Sequence, residues 1–316
     1  MTPSVSVVIP LYNKGRYISE AIDSVLAQTF RDFELIIVDG GSTDGSLEIV
    51  AGYTDPRITC FLQEGKGVST ARNQAVQRAN AELIAFLDAD DAWYPDFLET
   101  ILKLRQDYPA AGMYGTGYEV YSEGKLVRNI VHTPELGDRL FLSYFKEYLS
   151  AGHPIIITSG FAAPKRVLQD VGGYPELLRV GEDHELYGKI ALRYPVAYSS
   201  RICSKYNIGT ENNADAVDFL LEVPLEGYLT RVSDDSLSIY AKDLNNYLDS
   251  WKIRTGGRNI YSGYRRMGRK QVTSVKSLKY QMLIIAFLLI SCVPFSLSVI
   301  PPTKVRKVLR LVNMSL

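Results

Sequence analysis

Three short polar stretches hold most of the side chains able to do chemistry. The densest is Asp88-Ala89-Asp90-Asp91, reached from an apolar run over residues 83–87. Carboxylates this close repel one another unless water or a cation relieves them. Two readings follow. One is a solvated, acid-rich turn. The other is a site for a hard cation such as Mg²⁺ or Mn²⁺, which prefers carboxylate oxygens, keeps several waters and bridges to phosphates. The second stretch, GGSTDGS over residues 40–46, joins backbone freedom to hydroxyl and carboxylate groups ahead of a helix, and a capped turn accounts for part of it. The third, GVSTARNQA over residues 67–75, puts Arg72 and Asn73 in a helix's first turn. A helix N-terminus with an arginine beside it suits a phosphate oxygen. Taken alone, Arg72 reads as an ordinary surface arginine.

These stretches need elements to hold them. Residues 4–9, 34–38 and 83–87 are short, Val- and Ile-rich runs that predict buried strands, with a weaker strand at 57–62. Between them, residues 15–28 place Ile18, Ala21, Ile22, Val25 and Leu26 on one helical face. Ser42 or Asp44 caps a helix running to Val50, residues 69–79 read as a helix, and residues 96–105 form another with Pro95 near its start. Strands separated by helices predict an α/β fold with a mostly parallel sheet covered on both faces. Ligands of such sheets bind beyond the carboxyl ends of the strands. That rule gathers residues 10–13, 39–44 and 88–91 on one rim. Further on, residues 113–121 and 155–158 read as strands, and residues 165–171 and 183–192 as helices. Residues 216–250 look helical, broken at Pro224.

With the loops in order, a family resemblance is on the page. The segments VSVVIPLYNKGRYISEAIDSVLAQTFRDFELIIVDGGSTDGS, GVSTARNQAV and LIAFLDADDAWYPDFLE resemble family 2 of the glycosyltransferases, of the bacterial polysaccharide type, with the GT-A fold. The resemblance is close over residues 3–105 and looser through 159–192. It implies a catalytic domain over 1–215, divided into a nucleotide-sugar half (1–105) and an acceptor half (106–215). A helical extension over 216–272 would follow. It also implies that Pro10 and Tyr12 line the nucleoside pocket, that Asp39 helps hold the nucleoside, and that Arg72 lies near the diphosphate. Asp88 would face the ribose and the metal, Asp90 would be the main ligand of Mn²⁺ or Mg²⁺, and Asp183 would be the catalytic base. From the residues alone, Asp183 also fits a helix start favoured by the dipole. The implied activity is inverting transfer from a nucleoside-diphosphate sugar, with UDP-sugars favoured. The alternative is a non-catalytic nucleotide-binding scaffold at a membrane.

Two departures from the family pattern stand out. Gly40 replaces a second acid after the second strand, which bears on recognition of the base. KYNIGTENN (residues 205–213) lacks the histidine of a late Arg-x-His. A dinucleotide oxidoreductase is excluded, because PLYNKG follows the first strand where Gly-x-Gly-x-x-Gly would stand. His132, His153 and His184 are too scattered to suggest a histidine metal site, and His184 reads as a surface or helix-cap residue. The three cysteines are odd in number and far apart, which suits reduced thiols in a cytoplasmic protein.

The net charge of zero hides a split. Residues 250–316 carry 13 Lys or Arg and no acid, so the first 249 residues carry −13. Inside that basic tail, residues 280–300 are 21 positions without a charge. That argues for an anionic membrane surface as partner, and against nucleic acid. Pro294 interrupts the run, so a segment dipping into the bilayer from the cytoplasmic face is expected over 273–316, with a single transmembrane helix or a buried hairpin as alternatives. Val305, Val308, Leu309 and Val312 share a face opposite Arg and Lys, an interfacial pattern. The expected acceptor is then a lipid-linked saccharide.

Overall fold

The computed structural model describes residues 2–132, 137–210, 223–229, 241–261, 264–276 and 284. Its N-terminal part alternates strand and helix: β1 (Val5–Leu11), α1 (Ile18–Leu26), β2 (Phe33–Asp39), α2 (Ser46–Ala51), β3 (Ile58–Leu62), α3 (Val68–Arg78) and β4 (Leu83–Phe86). These four strands lie side by side as β3-β2-β1-β4, all parallel. The register pairs Val5 with Phe33 and Leu11 with Asp39, so the chain leaves β1 and β2 at the same level. Parallel direction puts the loops after β1, β2 and β4 on one rim.

Neighbouring side chains on these strands bury into opposite faces. Val7, Ile9, Leu35 and Ile37 pack with Ile22 and Val25 of α1, and with Phe97 and Ile101 of α4 (Phe97–Asp107). Val8, Ile36, Val38 and Phe86 pack on the other side with Ala75 of α3 and with α5 (Tyr144–Ala151) and α7 (Glu182–Ala191). Both faces are covered, as near-continuous apolar strands require.

Beyond β4 the sheet departs from expectation. The remaining strands are β5 (Ala92–Trp93), β6 (Met113–Ser122), β7 (Lys125–Ile130), β8 (Arg139–Phe141), β9 (Phe161–Pro164) and β10 (Val196–Ile208). β9 runs antiparallel between β4 and β6, β10 is parallel to β6, and β5, β7 and β8 are antiparallel to their partners. The sheet is therefore mixed rather than mostly parallel. Residues 155–158 are not a strand. Ile155 and Ile156 are buried core residues ahead of a 3₁₀ turn at Thr158–Gly160. A Cβ on Gly115 of β6 would lie 2.5 Å from Ile156 Cδ1, so the missing side chain of Gly115 is what admits the isoleucine. The turn delivers Ser159 to the rim.

The short α6 (Lys165–Asp170) ends at Gly172-Gly173, both left-handed, with φ 76° and 64°. After β10 come α8 (Glu226–Leu229), α9 (Ala241–Tyr261) and α10 (Arg265–Thr273). α9 lies against α5, and Tyr247 of α9 packs 5.0 Å from Tyr148 of α5, ring to ring. α9 and α10 touch backbone to backbone, since a Cβ on Gly268 would fall 2.5 Å from the Gly256 carbonyl. No helix among the described residues is long and apolar enough to cross a membrane. The apolar tail reading falls almost wholly outside the described residues.

Candidate active site

The rim is organised by a turn that uses its own acids. Asp39, at the end of β2, is fully buried. Its carboxylate accepts from the Gly41 and Ser42 N–H groups at 2.9 and 3.1 Å and from Ser42 Oγ at 2.5 Å. Ser42 Oγ in turn accepts from the Asn13 N–H at 3.0 Å, and Asn13 Oδ1 accepts from the Thr43 N–H at 2.8 Å. The loops after β1 and β2 are thus locked together. Pro10 lies within β1 opposite Val38. Tyr12 is 55% exposed beside Gly40, and a Cβ at Gly40 would come within 3.3 Å of its ring. A second acid at position 40 would press on that ring, which gives the glycine a steric reason.

The acidic loop is divided three ways. Asp91 is buried and structural: Ser159 Oγ donates to its Oδ2 and the Asn207 N–H to its Oδ1. Burial, reinforced by Asp90 and Asp88, holds its carboxyl well above the usual carboxylate range. Asp90 is 15% exposed and accepts from Lys14 Nζ at 2.7 Å and from Thr210 Oγ1 at 2.5 Å. Asp88 accepts from Arg72 Nη2 at 2.7 Å, and its N–H donates to Ser159 Oγ at 3.1 Å.

Arg72 is the joint of the site. It is 3% exposed rather than a surface residue, and its second arm donates to Glu182 Oε1 at 3.0 Å. Its guanidinium also lies 4.9 Å from the centre of the Tyr174 ring. Burial disfavours its charge, but Asp88, Tyr174 and Glu182 more than compensate, so it stays firmly protonated. Glu182 opens α7, with Asp183 next to it, after Gly181 in the left-handed region (φ 81°). A Cβ at Gly181 would meet Pro224 Cγ at 2.6 Å, so only glycine fits there.

Asp183 caps its helix in part, since its Oδ1 accepts from the His184 N–H at 2.7 Å. It also acts across the site. Asp88 is pushed upward mainly by burial, against the pull of Arg72, with Asp90 and then Asp183 adding to the rise. Burial pushes Glu182 up to about 7, with Asp183 adding and Arg72 opposing. The structure therefore brings Asp88, Asp90, Arg72 and Asp183 into one electrostatic unit. His184 is not a surface residue: it is buried, with its ring centre 4.7 Å from Trp251 and 5.7 Å from Tyr148.

Several site residues escaped the sequence reading. Lys14 and Glu182 flank predicted site residues and carried a positional signal. Asn207 and Thr210 arrive on the end of β10, where a run of polar residues hid the strand. Ser159 sits in the 3₁₀ turn Thr158–Gly160, just after the segment 155–158 that reads as a strand in sequence. Among the described residues no cluster of three or more carboxylate, histidine or cysteine groups could hold a metal by itself. Two neighbouring aspartates fit the other arrangement, in which one or two carboxylates share a hard cation with ligand phosphates and water. The guanidinium and ammonium beside them show the demand for positive charge there.

The description "Glycosyl transferase family 2" matches residues 6–172, more than half of the chain. The chain belongs to glycosyl transferase family 2. Among curated relatives, a Bacillus subtilis glycosyltransferase named for teichuronic acid biosynthesis is 40% identical over 137 residues, covering 42% of this chain and 54% of that protein. The chondroitin synthase of Escherichia coli is 31% identical over 215 residues, 67% of this chain and 30% of that protein. The chain thus spans between about a third and about half of the length of such relatives. Among solved structures, Staphylococcus aureus TarS residues 1–349 in complex with UDP-GlcNAc aligns with a TM-score of 0.60 at 20% identity. The alignment covers 98% of this chain and 87% of that one. A mannosyltransferase from Pyrobaculum calidifontis, in complex with GDP-Man and Mn²⁺, aligns with a TM-score of 0.59 at 18% identity, covering 99% and 85%. The fold of this family-2 chain is the GT-A fold.

Proposed function

We propose that the chain moves a sugar, with inversion, from a nucleoside-diphosphate sugar to a hydroxyl of a lipid-linked saccharide. A UDP-sugar is the favoured donor, and the cytoplasmic face of a membrane the favoured place. The observation that carries the reading is Arg72, which ties the acidic loop after β4 to the N-terminus of α7 and so holds Asp88 and Asp183 in one site.

The exposed Tyr12 ring offers a face for the base, and Pro10 and the turn built on Asp39 shape the pocket around it. Asp90 and Asp88 would hold Mn²⁺ or Mg²⁺. A cation so held supplies neutralisation of the charge that grows on the departing diphosphate. Arg72 lies beside Asp88 and contributes fixed positive charge to the same region. Asp183 takes the proton of the acceptor hydroxyl as it attacks C1 of the sugar. One base and one displacement give inversion. Thr210 and Lys14 hold Asp90 in place.

Binding of UDP-, GDP- and dTDP-sugars to the full chain, with and without Mn²⁺ and beside Asp90→Asn, tests the donor half. One donor should bind with Mn²⁺ and be lost in the variant. Unchanged transfer in Asp183→Asn would remove the base. The membrane half is tested by deleting residues 273–316 and asking whether the protein still sediments with vesicles, which the reading says it does not.

A further inference from the structure

Around Asp183 the site is walled by aromatic rings from three helices. Tyr148 comes from α5, His184 from α7, and Tyr247 and Trp251 from α9. One turn beyond Trp251 is Arg254, half-buried, with its guanidinium 5.5 Å from the Tyr148 ring centre and 5.8 Å from that of Trp251. Its Nη1 donates to Tyr148 Oη at 2.8 Å and its Nη2 to the Gly152 carbonyl at 3.4 Å. Its Nε is buried and has no acceptor. Among the described residues no carboxylate pairs with Arg254. Glu147, on the same helix as Tyr148, is taken by His132 at 2.7 Å and Arg139 at 2.9 Å.

The surroundings are cationic. His153 is pushed downward by burial, and the charges that add to the fall are those of Arg128, His132 and Arg254. Arg128 is exposed on β7, without a carboxylate partner among the described residues. A half-buried guanidinium that meets only neutral acceptors, with no carboxylate to answer its charge among the described residues, is suited to a carboxylate or phosphate oxygen. The hydroxyl of Tyr148 both receives Arg254 and feels the charge of Asp183. Tyr148 thus links the Arg254 guanidinium to the neighbourhood of the base. The donor diphosphate belongs elsewhere, with Asp88 and Asp90.

We infer that Arg254, with Arg128 and His153 beside it, is a subsite for an anionic group of the acceptor: the carboxylate of a uronic acid or an oxygen of a phosphodiester. The inference rests on the reading of Asp183 as the base at the acceptor hydroxyl. It gives α9, which lies beyond the matched family segment, a direct part in choosing the acceptor.

The test uses the full chain and three oligomers of matched length. One alternates an uncharged sugar with a uronic acid, unsulfated. One is a glycerol phosphate oligomer. One is a neutral N-acetylglucosamine oligomer. Binding is read by calorimetry and by the fluorescence of Trp251, one of two tryptophans. One anionic oligomer should bind at least about tenfold more tightly than the neutral one, the size of a single charge-assisted hydrogen bond. Which of the two does so identifies the source of the anion. Arg254→Gln should erase that preference without weakening the neutral oligomer, Arg254→Lys should restore part of it, and Arg128→Gln should reduce it by a smaller factor. Equal binding of all three by the wild-type protein overturns the subsite, as does a parallel loss of neutral and anionic binding in Arg254→Gln with Arg128→Gln unchanged. Nucleotide-sugar binding measured on the same samples reports on the donor reading separately, so failure of one is not mistaken for failure of the other.

Discussion

Lys14 Nζ lies 2.7 Å from Asp90 Oδ2, on the carboxylate assigned to the cation, with Lys14 12% exposed. The ammonium also donates to Thr210 Oγ1 at 3.2 Å. A half-buried carboxylate near two other acids needs a positive neighbour, and Lys14 is that neighbour. A cation that takes Asp90 Oδ2 must displace it, and one on Oδ1 must sit beside its like charge. Lys14→Met should therefore raise Mn²⁺ affinity without donor by about tenfold, the scale of one partly buried charged hydrogen bond. Electron paramagnetic resonance titration of free Mn²⁺ reads this directly. An affinity equal to or weaker than wild type would show that Lys14 helps the cation rather than competing with it.

Arg72 answers two acids at once, and a lysine can answer only one of them. Arg72→Lys should lower transfer by about a hundredfold while leaving the chain folded. Arg72→Ala strands Asp88 and Glu182 without a partner and should cost about 3–5 kcal/mol of stability. Urea unfolding of both variants separates the two effects. A lysine variant with wild-type transfer would reduce Arg72 to a packing element.

Glu182 makes stability depend on pH in an unusual direction. Its carboxyl, ordinarily near 4.5, is pushed up to about 7 by burial and by Asp183. The folded chain thus holds this proton more tightly than the unfolded chain does. Stability from this group falls as pH rises from about 4.5 to about 7, then levels off. Glu182→Gln keeps an oxygen for Arg72 and removes the charge, so its melting temperature should fall less across that window. Parallel curves for the two proteins would place the effect in another group.

The cysteines should separate by reactivity. Cys203 is buried and its thiol is pushed up to about 12, mainly by burial. Almost none of it is thiolate at pH 8, and the thiolate is what alkylates. Cys60 is exposed on β3, though burial of its sulfur and the nearby Asp39 also raise it. Timed iodoacetamide labelling with peptide mass spectrometry should show Cys60 modified slowly and Cys203 only after unfolding. Early labelling of Cys203 would mean that β10 opens locally.

The first four strands were legible because each is a compact run of Val, Ile, Leu or Phe, and the loops following three of them carry the polar residues. β10 was not. Its sequence VAYSSRICSKYNI is buried at Val196, Ala197 and Tyr198 but carries Ser, Arg, Lys and Asn farther along. Asn207 reaches the acidic loop, while Ser199, Arg201 and Lys205 pair with Asp138, Asp96 and Glu20. β9 was missed for the opposite reason: FAAP is short and carries small side chains, being squeezed between β4 and β6. The aspartates of the acidic loop were legible as a group, but their division was not. Only tertiary partners separate them: Ser159 and Asn207 hold Asp91, and Lys14 and Thr210 hold Asp90, the proposed cation ligand.

The bridge through Arg72 couples two distant parts of the chain. Asp88 and Glu182 are separated by more than ninety residues of chain, yet they share one cation. Whatever draws the guanidinium toward a donor phosphate loosens its hold on Glu182, and through Glu182 on the first turn of α7. Linkage makes the influence mutual: an acceptor that settles the first turn of α7 must alter donor affinity by the same factor. Donor and acceptor affinities are then expected to depend on each other through one shared factor, whichever arrives first.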